Sequence, residues 1–215
     1  MGAIARAAAN NITTSGVFTS SAIANSSVTG ITVLANASDG ITLISSQTAS
    51  NSASLSFTSG LTSTYKAYKF VFSNIHPASA TNFQFNGSTD SGSNYNVTKT
   101  SSHFNSQHNE ADTEALLGYD AGGDLAQSTG FQPLLRGVGI ENDQSVSGSL
   151  TLFNPSSTTY VKHFISINNG YGTGVASVNT FIAGYFNTTS AINAIRFNMS
   201  SGNIDAGTIY LYGIK

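Results

Sequence analysis

The sequence predicts an all-β chain: an antiparallel, jelly-roll-like β-sandwich over residues 41–215, preceded by an extended N-terminal arm over residues 1–40. Three observations predict it. Apolar and polar residues alternate in short runs through most of the chain after residue 40, which is the period of a half-buried strand. Gly, Asn and Ser interrupt those runs at near-regular spacing, as turns do. Only two charged side chains, Arg6 and Asp39, occur between Met1 and Tyr65, in a stretch made mostly of Ser, Thr, Asn and Ala. That stretch is too polar to build a core alone and too poorly charged to behave as a solvated tail. It reads as an arm that lies on another surface.

Within the arm, Ala3 to Ala9 has the composition for one or two helical turns, ended by Asn10, Asn11 and Gly16. Isolated apolar anchors follow: Val17, Phe18, Ile23, Val28, Ile31, Val33 and Leu34. Each is separated from the next by small polar residues, the pattern of a peptide that binds by lying along another chain. These seven are the expected partner contacts.

The expected strands come next. Ile41–Ser45 is a short apolar run, and Ala53, Leu55 and Phe57 alternate with serines. Tyr68, Phe70 and Phe72 share one face of a long strand that closes towards Pro77, which has no N–H for a ladder. Phe83 and Phe85 alternate before a loop at Asn86–Asn94, and Tyr95 to Thr100 reads as another strand. Leu150 and Leu152 precede a turn at Asn154-Pro155. Val161, His163, Ile165 and Ile167 then share a face, with Lys162 and Phe164 opposite. Val175 to Phe186 follows with Gly184 as a candidate bulge. Ile195, Phe197 and Met199 alternate, and Thr208 to Ile214 closes the chain with Ile209 and Leu211 on one side and Tyr210 and Tyr212 on the other. Residues 103–145 break the pattern. They hold seven of the ten acids, Glu110, Asp112, Glu114, Asp120, Asp124, Glu141 and Asp143. They read as a long acidic excursion between strands, with a short helix over Glu110 to Leu117.

Composition narrows the function classes. Charged residues are 8% of the 215, against roughly 25% in ordinary soluble domains. A surface of hydroxyls and amides packs against like surfaces with few charges to desolvate. The net charge is −2 and the eight basic residues are scattered, so nothing here attracts nucleic acid. There is no Cys, hence no disulfide frame and no thiolate metal site. No apolar run approaches the roughly 20 residues of a membrane helix, and no apolar segment follows Arg6 as in a signal peptide.

Residues that could carry chemistry are few. Glu110, Glu114, Asp120 and Asp124 are the only candidates for a hydrolytic carboxylate pair, and no Trp exists to make a sugar platform. Asp90 to Asn94 and Asp120 to Asp124 each place oxygen ligands around a Gly, but neither has the nearby bidentate Glu of a calcium loop. His103 and His108 near Glu110 lack a third preset zinc ligand, and His163 falls on an apolar strand face, as a core or interface histidine does. No nucleophile elbow and no Gly-rich phosphate loop with Lys occurs. No catalytic residue, metal or cofactor is therefore expected. Tyr95, Tyr119 and Tyr171 read as residues of Gly/Asn-rich loops and are the candidate ligand contacts, since such a ring stacks on a sugar or on a partner.

Three stretches support more than a class. The ending Ser200–Lys215, SSGNIDAGTIYLYGIK, carries a GTI-x-LYGI pattern. Ser45–Ile75 joins a small-residue strand to a Tyr-Lys-x-Tyr strand, and Leu150–Lys162 reads LTLFNPSSTTYVK. In this order the three resemble a family of tailed-bacteriophage virion β-sandwich proteins, over residues 41 to 215. The resemblance implies a capsid decoration (cement) protein or a tail-fibre or tailspike tip module, in either case a homotrimer in the virion, and it offers no catalytic residue to carry over. The expected partners are further copies of the chain and the major capsid protein or other virion proteins. A host surface glycan is the alternative partner, met through the loops.

Overall fold

A computed structural model describes residues 40–215. The arm and its seven expected partner contacts, Val17 to Leu34, lie outside the described residues. Alternation in the sequence becomes thirteen strands, all paired antiparallel and with no helix among the described residues. The chain is the expected all-β antiparallel sandwich.

The larger layer runs in the order β1 (Ile41–Thr48), β13 (Ile204–Ile214), β3 (Ala67–Pro77), β9 (Val146–Phe153), β10 (Lys162–Gly172), β11 (Ala176–Phe186) and β5 (Lys99–Asn109). Two short strands, β6 (Ala115–Tyr119) and β7 (Leu125–Ser128), pair with successive parts of β5 and form the far edge. The smaller layer is β8 (Gln132–Val138), β4 (Thr81–Ser88), β12 (Ala194–Met199) and β2 (Leu55–Phe57), joined to β10 by the pair Gly172–Val138.

The core lies between the layers. Tyr68, Phe70 and Phe72 of β3 and Ile209 and Leu211 of β13 point into it, as the alternation requires. From the other layer come Phe57, Phe83, Phe85 and Phe197. The Phe197 ring lies 5.2 Å from those of Phe70 and Phe72, 6.0 Å from Phe83 and 6.2 Å from Phe57 and Phe85. Edge-to-face contacts dominate, the arrangement that ring quadrupoles favour.

Three sequence expectations are corrected. Residues 103–145 are not an irregular excursion: they contain the end of β5, all of β6, β7 and β8, and the start of the approach to β9. Glu110 to Leu117 makes a turn and then β6, not a helix. The adjacent leucines Leu116 and Leu117 hid the strand, because β6 is an edge with both faces exposed and burial imposes no alternation on it. Gly184 is not a bulge. Its register is unbroken on both sides, to Phe164 and to Ser101. A side chain there would come within 2.5 Å of the Thr100 carbonyl and 2.6 Å of the Phe164 ring, so glycine permits close strand approach.

On β10 the two faces are those the sequence separates, and the structure decides which is outside: His163, Ile165 and Ile167 face outwards, and the buried face is Lys162, Phe164, Ser166, Asn168 and Gly170. Polar groups are tolerated inside because they are paired. Asn168 donates to the Leu134 carbonyl and to Ser166, and Thr180 donates to the same carbonyl at 2.7 Å. Lys162 donates to the Thr188 carbonyl at 3.1 Å.

Candidate assembly surface

This orientation of β10 puts an apolar strip on the outside of the large layer. Strand register builds it row by row. Ile167 stands opposite Phe181, Phe181 opposite Phe104, and Phe104 opposite Tyr119. The Phe104 and Phe181 rings stack 4.9 Å apart at 9°. One row further along, Ile165 stands beside Ala183 and Ser102. Leu117 at 74% exposure and Tyr119 at 61% stand out at the edge, while Ile165 and Ile167 are about half exposed. The outward positions of β9, β10, β11, β5 and β6 include no Asp, Glu, Lys or Arg. Ala183, the outward residue there, lacks bulk, so the surface sinks into a shallow hollow of about 580 Å³ bordered by Ile165, His163 and Tyr185 and floored by Gly184.

Charge has been cleared to the ends of the sandwich. Strands β3, β5 and β10 run the same way, and Lys66, Lys69, Lys99 and Lys162 all lie at their starts. The opposite end collects Glu110, Asp112, Glu114, Glu141, Asp143 and Asp205. Two histidines sit there: His76 is 3.5 Å from Asp205, and His108 is 3.0 Å from Asp112. The sequence presents the acids as one loop; the fold adds Asp205 from a distant strand.

Three buried polar groups are unusual. Lys99 is fully buried, donates to the Gly130 carbonyl and lies 5.7 Å from the Phe186 ring centre. Burial pushes its ammonium pKa down to about 7. Lys162 is buried on the other side of the same ring, since Phe186 is in register with both lysines, and burial lowers its pKa as well. His103 is buried with neither ring nitrogen in hydrogen-bond geometry, and the Gly123 backbone presses on it so closely that a Cβ there would overlap the ring. Burial holds this imidazole below its usual pKa.

The candidate ligand tyrosines separate. Tyr95 is buried, and Arg196 stacks on its ring at 3.9 Å, so it offers no face to a ligand. Tyr119 lies on β6 and donates to Asp124 at 2.6 Å, which raises its own pKa. Tyr171 ends β10, half-buried in a shallow cleft with His108, Asn109, Glu110 and Asn169. Burial, and then the Glu110 and Asp143 carboxylates beside it, lift its phenol above the ordinary range.

The carboxylates singled out in the sequence have protein partners. Asp120 accepts from Arg136 at 2.6 Å, Asp124 from Tyr119, and Glu114 from Gln107 at 2.7 Å. Asp90 accepts from Ser88 and from the backbone and side chain of Asn94, which makes its loop a self-satisfied turn. His103 and His108 are five apart on β5 and so point to opposite faces. Among the described residues no group of three or more His, Asp or Glu is placed to hold a metal ion. No family model matches the chain, and comparison with curated proteins and with solved structures returned no match.

Proposed function

We propose that this chain is a non-enzymatic bacteriophage virion structural protein, a trimeric capsid decoration (cement) protein that reinforces the shell. The observation that carries the reading is the outer face of the large layer, apolar at its centre and without a formal charge from β9 to β6. A monomer rarely leaves a contiguous apolar surface of this kind open to water. Burying it costs little desolvation, because hydroxyls and amides rather than charges surround it. The closing pattern GTI-x-LYGI and residues 1–40, whose only charged side chains are Arg6 and Asp39, support the same role.

A second reading, a tail-fibre or fibre-tip protein that binds host surface glycan, is favoured by the Tyr171 cleft. It sets an aromatic ring beside a carboxylate and two amides, the mixture that recognises sugar hydroxyls and ring faces. Quantitative mass spectrometry of purified virions separates the two. Decoration requires on the order of hundreds of copies per particle, set by shell symmetry, whereas a tail component is present in far fewer. Absence from the particle contradicts both. Binding of the purified protein to a glycan array, lost in Tyr171→Ala, would support the second reading over the first.

A further inference from the structure

We propose that the β6 edge of one copy of this chain docks into the hollow over Ala183 and Gly184 of a second copy. The inference rests on the self-association read above and assigns the contact. Three features of the surface argue for it.

The first is shape. Leu117 and Tyr119 project from β6 as the most exposed apolar side chains of this face. The hollow at Ala183–Gly184 is apolar and lies elsewhere on the same face. Ridge and hollow are two strands and four residues apart, roughly 16 Å, so a copy cannot fill its own hollow. It offers its ridge to one neighbour and its hollow to another. Such a contact is heterologous and closes into a ring when the rotation allows it.

The second is the edge itself. The outer side of β6 is a short, uncharged strand of Ala, Leu, Leu, Gly and Tyr. Natural sheets usually blunt their edges with charge or proline, because an open apolar edge recruits another chain. Here the charges Glu114 and Asp120 stand only at its two ends.

The third is area and charge. Four strands about 4.8 Å apart and ten residues long project an area on the order of 650 Å². Side-chain relief brings this to roughly 800 Å², shared between the ridge contact and the hollow contact, so each is small beside a standard interface and the ring is held by closing both. A second copy meets no like charge there, since these outward positions carry none. The whole face is therefore compatible with itself, and no partner of a particular charge is called for.

The absence of Cys makes the test direct. Leu117→Cys and Ala183→Cys are made separately, each at an exposed position, then mixed and oxidised with copper–phenanthroline. The expected result is disulfide-linked pairs in the mixture, little linkage in either variant alone, and none when Ala80→Cys replaces Ala183→Cys. Leu117→Lys, with an unchanged melting temperature, is expected to lose the oligomer seen for the parent by light scattering. An oligomeric parent whose mixture stays unlinked would overturn this placement while leaving self-association intact. A parent that is monomeric throughout would overturn self-association itself. Retention of the oligomer by Leu117→Lys would move the contact elsewhere, to another face or another virion protein.

Discussion

Lys99 carries its ammonium into the sandwich, where it donates to one carbonyl and lies over the face of the Phe186 ring. The charged form is therefore penalised, and the folded-state pKa falls from 10.5 to about 7. The sign follows. Below about pH 7 both folded and unfolded chains hold the proton, and the penalty is present in full. Between about 7 and 10.5 the unfolded chain binds a proton that the folded chain has lost, so stability rises with pH. Lys99→Met removes the buried charge and keeps most of the volume. It is expected to stabilise by on the order of 1–3 kcal/mol at pH 6, an advantage that shrinks towards pH 10 in urea melts. Asp90 works the other way. Hydrogen bonds from Ser88 first, then from Asn94, hold its carboxyl near 2. Their contribution is complete above about pH 4 and is lost as pH falls towards 2. Asp90→Ala is therefore expected to melt below the parent at pH 6 and to converge with it near pH 2. Neither lysine nor aspartate announces this in the sequence, where Lys99 is one polar residue among many.

At the scale of elements, much of the fold was legible and the sidedness was not. The alternation of Tyr68, Phe70 and Phe72, or of Ile209 and Leu211, identified both the strand and its buried face. The same rule separated the two faces of β10 without saying which is buried: Ile165 and Ile167 turn outwards and Asn168 inwards. Alternation reports that two faces differ; it does not say which one meets water when a partner covers the outside. β6 and β7 escaped for a related reason: an edge strand with no buried face has no period to read. Of the three tyrosines read as loop residues, Tyr119 and Tyr171 lie instead on β6 and β10, and Tyr95, in the loop before β5, is covered by Arg196 of β12, distant in sequence. Gly184 belongs here too. Gly184→Val drives a side chain inwards, into the Thr100 carbonyl and the Phe164 ring. A loss of about 1–3 kcal/mol is expected in denaturant melts.

For the whole molecule, one aromatic core ties the two layers together and leaves the outer face of the larger one exposed. Phe197 touches rings from both layers, so Phe197→Ala is expected to cost about 3–5 kcal/mol and to weaken the sandwich as a unit, read as a single shifted unfolding transition. Six of the carboxylates gather at one end and most lysines at the other, which leaves the outer face from β9 to β6 without a formal charge. That division places few charges in the way of contact and sets the surface apart from an ordinary soluble domain, whose charges are interspersed. The most direct test is the solution mass of the purified chain, measured by light scattering across a range of concentrations, beside a variant carrying Ile165→Lys and Ile167→Lys. The account predicts three chains of 22.3 kDa each for the parent and one for the variant, with similar melting temperatures. A parent that stays at one chain at every concentration would contradict it.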